Sequence, residues 1–272
     1  MNRINLSASN IGWASELDED MYKFLSDNNF NGLEIAPTRI FPQAPYERPD
    51  EARKFANNLK EIDGLTISSI QSIWYGVSES IFGPDADRQK LVSYTKSAID
   101  FASVIGCSNL VFGCPKNRAV PEGVLSDVYM PIAFEFFNKI GNYASKQGVC
   151  ISIEPNPPIY NTNFINTTAE AFAFCEALSN PGVKVNVDLG TMIYYGEDIS
   201  ILTRNLCFVN HIHISEPYLA PIVKRNFHKD IIREMLGAGY SGFFSVEMGK
   251  QSDIQPIKDA VLYVEEIFRD YK

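Results

Sequence analysis

Short apolar runs of strand type recur along the chain, and each is followed by a longer stretch whose apolar positions fall at helical spacing. The strand-type runs lie at Ile4–Ala8, Gly32–Ala36, Thr66–Gln71, Asn109–Gly113, Cys150–Glu154, Lys184–Asp188, Phe208–Ser215 and Phe243–Glu247. Successive runs start 24–43 residues apart, about 34 on average, the size of one βα unit. The intervals carry i, i+3, i+4 patterns. Asp18–Asn28 places Met21, Phe24 and Leu25 on one face, and Arg88–Ile105 places Leu91, Tyr94, Ala98, Ile99 and Ala102. Met130–Gln147 and Ala169–Leu178 follow the same rule. No linker, charge block or low-complexity tract divides residues 1–272. Eight βα units in a chain of this length predict a single-domain (β/α)8, or TIM, barrel of α/β class. The rival is a doubly wound sheet, in which the first and last strands do not pair.

The strand ends are where the pattern stops being ordinary. Four successive runs finish alike: Ile151-Ser152-Ile153-Glu154, Val185-Asn186-Val187-Asp188, His211-Ile212-His213 and Phe244-Ser245-Val246-Glu247. Side chains alternate along a strand, so Glu154, Asp188, His213 and Glu247 share one face with Ser152, Asn186, His211 and Ser245, two residues earlier. A purely hydrophobic barrel interior would not carry these groups. In a (β/α)8 barrel the C-terminal strand ends line the active site. Three carboxylates and one imidazole form a mostly hard donor set. One divalent ion is therefore expected, Mn²⁺, Mg²⁺ or Co²⁺ ahead of Zn²⁺, since structural zinc draws on Cys and more His.

Composition narrows the partners. The net charge of −9 is the wrong sign for a nucleic-acid binder, which needs a basic footprint on phosphates. No apolar run approaches the ~20 residues that span a bilayer. The five cysteines form no CxxC pair and sit in or beside apolar stretches, as reduced cytoplasmic thiols do. Cys114, after the fourth strand, is the one candidate for reactivity. The segment Gly237-Ala238-Gly239-Tyr240-Ser241-Gly242 spells GxGxxG, but a helical pattern precedes it and a strand follows. A dinucleotide fingerprint needs the reverse order, so these glycines are expected to cap a helix.

At its strand ends the chain resembles the sugar phosphate isomerase/epimerase group of the xylose isomerase-like TIM barrels. The resemblance spans nearly the whole chain and is carried by the Glu, Asp, His, Glu series, by HIHISEP (211–217) and by GYSGFFSVEM (239–248). It implies one divalent metal held by Glu154, Asp188, His213 and Glu247, with Glu154 and Glu247 also moving the proton. Two positions depart from the ketose 3-epimerases of this group. Thr191 stands where they carry His, and Pro155-Asn156-Pro157-Pro158 stands where they carry an Asn-Arg pair. With three histidines in all, the chain lacks the ligands of the trizinc endonuclease IV type.

The expected chemistry is isomerisation or epimerisation of a sugar or sugar phosphate through a metal-stabilised enediolate, with the two glutamates as acid and base. The alternatives are a lyase acting on a cyclic hydroxy acid, like 3-dehydroshikimate dehydratase, and a non-catalytic sugar-binding barrel. Glu34 and Gln71, at the ends of the second and third strands, are candidates for substrate hydroxyls, together with Asn156 and His228. Trp13, Trp74 and Tyr75 offer walls for sugar C–H faces. Lys116 and Arg118 in CPKNR are candidates for a phosphate or carboxylate, as are Arg39, Lys224 and Arg225. Related barrels form dimers or tetramers, which leaves a homo-oligomer open.

Overall fold

A computed structural model describes residues 4–269 and 271. Eight parallel strands close a barrel in chain order: β1 (Asn5–Ser9), β2 (Gly32–Ile35), β3 (Thr66–Ile70), β4 (Asn109–Phe112), β5 (Cys150–Ile153), β6 (Val183–Asp188), β7 (Val209–Ile214) and β8 (Phe243–Val246). Leu6 lies opposite Phe244 and Ala8 opposite Val246, so the first and last strands pair. That pairing excludes the doubly wound sheet.

The helices are α1 (Asp18–Asp27), α2 (Pro37–Ile40), α3 (Pro49–Asp63), α4 (Asp85–Val104), α5 (Ser126–Lys146), α6 (Thr168–Leu178), α7 (Leu189–Tyr195), α8 (Ser200–Arg204), α9 (Asn226–Gly237) and α10 (Gln255–Arg269). The helical patterns in the sequence correspond to α1, α4, α5 and α6. The short α2 and α7 follow strands β2 and β6 directly and carry no amphipathic repeat long enough to read. No helix among the described residues is long and apolar enough to cross a membrane.

Alternation sorts the strand residues as expected. Ile153, Val185, Val187, Ile212, Ile214 and Val246 are buried in the apolar layer between barrel and helices. Phe112 meets Trp74 at 4.8 Å and Phe137 at 5.0 Å between ring centroids, both edge-on. Trp74 also packs on Phe136, and its indole N–H donates to Thr95 Oγ1 of α4 at 3.0 Å. Trp74 thus belongs to this outer core and is not a wall for a sugar. An indole can be buried here because its one donor finds a partner.

Local chemistry sets the helix ends. At α6 the Thr167 hydroxyl accepts from Glu170 N, and Glu170 returns a bond to Thr167 N. Thr167→Ala should therefore cost about 1 kcal/mol in a urea titration, and an unchanged midpoint would remove this capping box from the account. At α9, Tyr240 N bonds Met235 O and Gly239 N bonds Leu236 O, with Gly239 at φ +90°. That is a Schellman close, and it disposes of the GxGxxG segment as a phosphate loop.

Candidate metal centre

Four side chains meet at the C-terminal mouth of the barrel. One ligand atom from each of Glu154, Asp188, His213 and Glu247 lies within 4.8 Å of all the others, and all four residues are buried. His213 is central: its Nδ1 is 3.2 Å from Glu154 Oε1 and 3.0 Å from Glu247 Oε2. Its Nε2 points the other way, to Glu34 Oε2 at 2.9 Å. His211 Nε2 lies 3.0 Å from the same Glu34 oxygen, out of hydrogen-bond alignment. Asp188 is held on both oxygens. Thr191 N donates to Oδ2 at 2.7 Å, the Thr191 hydroxyl lies 2.7 Å from the same atom, and the Ser215 hydroxyl donates to Oδ1. Thr191, the residue standing where the epimerases carry His, therefore orients a candidate ligand.

The charges of this cluster compete. Burial works against the imidazolium, but the Glu247 and Glu34 carboxylates outweigh it and hold His213 well above its usual range. Burial likewise pushes Glu34 up, yet His213 and His211 leave its carboxyl well below the usual range. Burial pushes Glu247 up to about 7 despite His213 beside it. Burial, then the Glu154 charge, raises Asp188. The mouth thus gathers more negative charge than His213 can balance. The nearby buried Arg118 feels the Glu154 charge, but its Nη2 bonds the Glu154 main-chain carbonyl at 2.6 Å rather than a carboxylate, so it offsets only part of that charge. Buried carboxylates of this kind call for a cation. Room for the arrangement is built in: a Cβ at Gly113 would stand 2.6 Å from Glu154 Oε2. The donor set fits a divalent ion of the oxygen-preferring group.

Above the cluster opens a cavity of about 160 Å³, lined among others by Gln71, Glu154, Asn156, Tyr160, Asp188 and Glu247. The sequence matches the xylose isomerase-like TIM barrel family over residues 22–267. The chain belongs to that family. Solved structures of similar fold include 3-keto-D-glucoside 4-epimerase, YcjR, from E. coli, 14% identical over 97% of this chain and 99% of that one, with a TM-score of 0.79. D-allulose 3-epimerase from Methylomonas sp. is 14% identical over 100% of this chain and 98% of the other, TM-score 0.76. A sugar phosphate isomerase/epimerase from Parabacteroides distasonis is 15% identical over 97% of both chains, TM-score 0.69. Identities this low speak for the fold alone. No curated protein matches the sequence.

Within this family barrel the remaining predicted residues divide. Gln71 stands on the cavity wall, and its Nε2 is within hydrogen-bond distance of Ser9 Oγ (2.6 Å), Glu34 Oε1 (3.0 Å) and Glu247 Oε1 (2.9 Å). Glu34 is fully buried under the cluster, engaged by His213 and Gln71, and does not reach the cavity. Asn156 lines the cavity with its Oδ1 accepting from Arg118 Nη2 at 2.8 Å. Arg118 itself is fully buried behind that wall, and burial pulls its pKa down to about 10. It braces Asn156 and the Glu154 backbone instead of facing a ligand. Lys116, on the same turn, is exposed and off the cavity wall. Arg39 is paired with Asp18 at 2.6 Å, Lys224 with Glu266 at 3.7 Å and Arg225 with Glu216 at 2.7 Å.

His228 is far from its expected role. It is fully buried in α9, with Nδ1 3.3 Å from the Tyr263 hydroxyl of α10, and burial pulls it down to about 4. A histidine kept neutral in the fold but free to protonate when unfolded favours the unfolded chain as pH falls from about 6.5 to 4. Relative to His228→Gln, the wild type should lose up to about 3 kcal/mol across that window in urea titrations. Parallel pH profiles for the two proteins would contradict this. Cys114 lines the cavity, and burial pushes its thiol up to about 12, which disfavours the reactive thiolate. Tyr160 and Leu219 on the cavity wall escaped the sequence reading because they lie in short 3₁₀ turns, where no periodicity marks an inward face.

Proposed function

We propose that this barrel is a divalent-metal-dependent isomerase or epimerase acting on a sugar or sugar derivative. The observation carrying the proposal is the convergence of Glu154, Asp188, His213 and Glu247 on one point beneath an open cavity. These four residues would hold the ion, with Mn²⁺, Mg²⁺ or Co²⁺ preferred. When bound, the ion supplies Lewis acidity that stabilises negative charge on a sugar carbonyl and its neighbouring hydroxyl. The chain's own groups do the rest. Glu154 on the β5 side and Glu247 on the β8 side flank the reacting carbon, one taking its proton and the other returning one. Return to the opposite face gives the epimer, and return to the adjacent carbon gives the aldose–ketose isomer. Asn156 has its oxygen committed to Arg118, so its NH₂ is what remains to donate to a hydroxyl. Gln71 steadies Glu247 from the cavity wall. The similar structures named for epimerases of keto sugars support this substrate class.

The test is solvent exchange. Mn²⁺-loaded protein incubated with a panel of ketoses and keto sugars in D₂O should place deuterium on the carbon beside the carbonyl. EDTA should stop the exchange and added Mn²⁺ restore it. A new ultraviolet absorbance from a conjugated alkene would replace this reading with a lyase. Metal binding with no exchange on any member would replace it with a sugar-binding barrel.

A further inference from the structure

The cavity over the metal cluster is small for a complete substrate. Ligand pockets generally run about 300–1,000 Å³, and this one is about 160 Å³. A second recess of about 440 Å³ adjoins it over the ends of β1, β2 and β3, and Ser72 lines both. The side chain of Tyr75 stands at this recess 72% exposed, an uncommon position for an aromatic ring. Trp13, also on the lining, is tied down by its neighbours. Trp13 is buried, its Nε1 donates to Asp18 Oδ1 at 2.7 Å, and Arg39 lies over its ring while pairing with Asp18 at 2.6 Å. The charges cancel in number: Asp18 takes up Arg39, and the lining also carries one exposed Lys250 and one exposed Glu16.

From this continuity, and resting on the sugar reading above, we infer that the recess is a subsite for a second, uncharged ring, so that the substrate is a glycoside of the reacting sugar. A balanced recess gives a phosphate no net field to bind in, whereas a ring with one apolar C–H face can lie on Tyr75 and turn its hydroxyls to Ser72, Thr38 and Lys250. The reacting ring occupies the metal cavity and the linked ring extends past Ser72.

Binding to Mn²⁺-loaded protein, measured by titration calorimetry, separates the cases without needing turnover. The probes are D-fructose, D-fructose 6-phosphate and reducing disaccharides carrying a glucosyl or galactosyl unit on O4, O5 or O6 of fructose. At least one disaccharide should bind about tenfold or more tighter than fructose, the worth of one good ring contact. Tyr75→Ala should erase that advantage while leaving fructose affinity unchanged, and Tyr75→Trp should keep it. Tyr75 is exposed, so both variants should fold. Equal affinities for fructose and every disaccharide would overturn the subsite. So would tighter binding of the 6-phosphate that Lys250→Gln abolishes. Disaccharide binding that depends on Tyr75, with no deuterium exchange on any sugar, would uphold the subsite while refuting the isomerase.

Discussion

Glu247→Gln is expected to reduce sugar interconversion by about 10²–10⁴-fold, the usual contribution of a placed acid–base group. The amide is nearly the size of the carboxyl and keeps an oxygen toward the metal site, but it neither takes nor returns a proton. Saturating Mn²⁺ in the assay, with bound metal measured directly, separates this loss from weakened ligation. The flanking geometry adds a sharper expectation. Glu154 remains in the variant, so any residual deuterium exchange should be confined to the epimer whose proton faces Glu154. Glu154→Gln should show the complementary preference, and the double variant should exchange neither. Interconversion at wild-type rate in Glu247→Gln would remove Glu247 from proton transfer and with it the two-glutamate mechanism.

Loss of Glu34 is expected to weaken metal binding by about 10–100-fold, although Glu34 is not among the four converging side chains proposed as ligands. His213 can offer Nδ1 to a metal only if its other proton stays on Nε2 and the ring holds its orientation. Glu34 Oε2, 2.9 Å from Nε2, enforces both. Glutamine at this position has nearly the same shape, but it can present an amide N–H to Nε2 and so favour the opposite tautomer. Titration of Mn²⁺ into Glu34→Gln is the measurement, with circular dichroism as the check on folding. An affinity equal to wild type would show that the imidazole is positioned by packing alone. The same substitution should also lower exchange activity at limiting Mn²⁺ and recover part of it at saturation, since the defect lies in ligation.

The barrel and its four converging side chains were legible because they follow from local rules. A period of two along β5, β6, β7 and β8 places Glu154, Asp188, His213 and Glu247 on the inner face, and a βα repeat of regular size orders those strands. Expectations failed where residues were assigned from proximity in sequence to a strand end. Trp74 follows β3 closely, yet it turns outward to Phe112 and Thr95. Arg118 follows β4 and looks like an anion ligand, yet it is buried as a brace for Asn156 and the Glu154 carbonyl. Beyond a strand end the chain has no fixed period, so the direction of a side chain depends on the turn it happens to occupy.

By itself the sequence determined the number and order of the strands, the polar character of their inner ends and the oxygen-rich donor set, all consequences of alternation and residue type. Only the tertiary structure decided who supports whom. Glu34 on β2 meets His213 on β7 across the barrel interior, with β8 and β1 between their strands on the closed side, because closure of β1 on β8 brings distant ends of the chain together. Contacts across a closed lumen depend on stagger and curvature summed over the whole sheet, and no local window of residues carries that information.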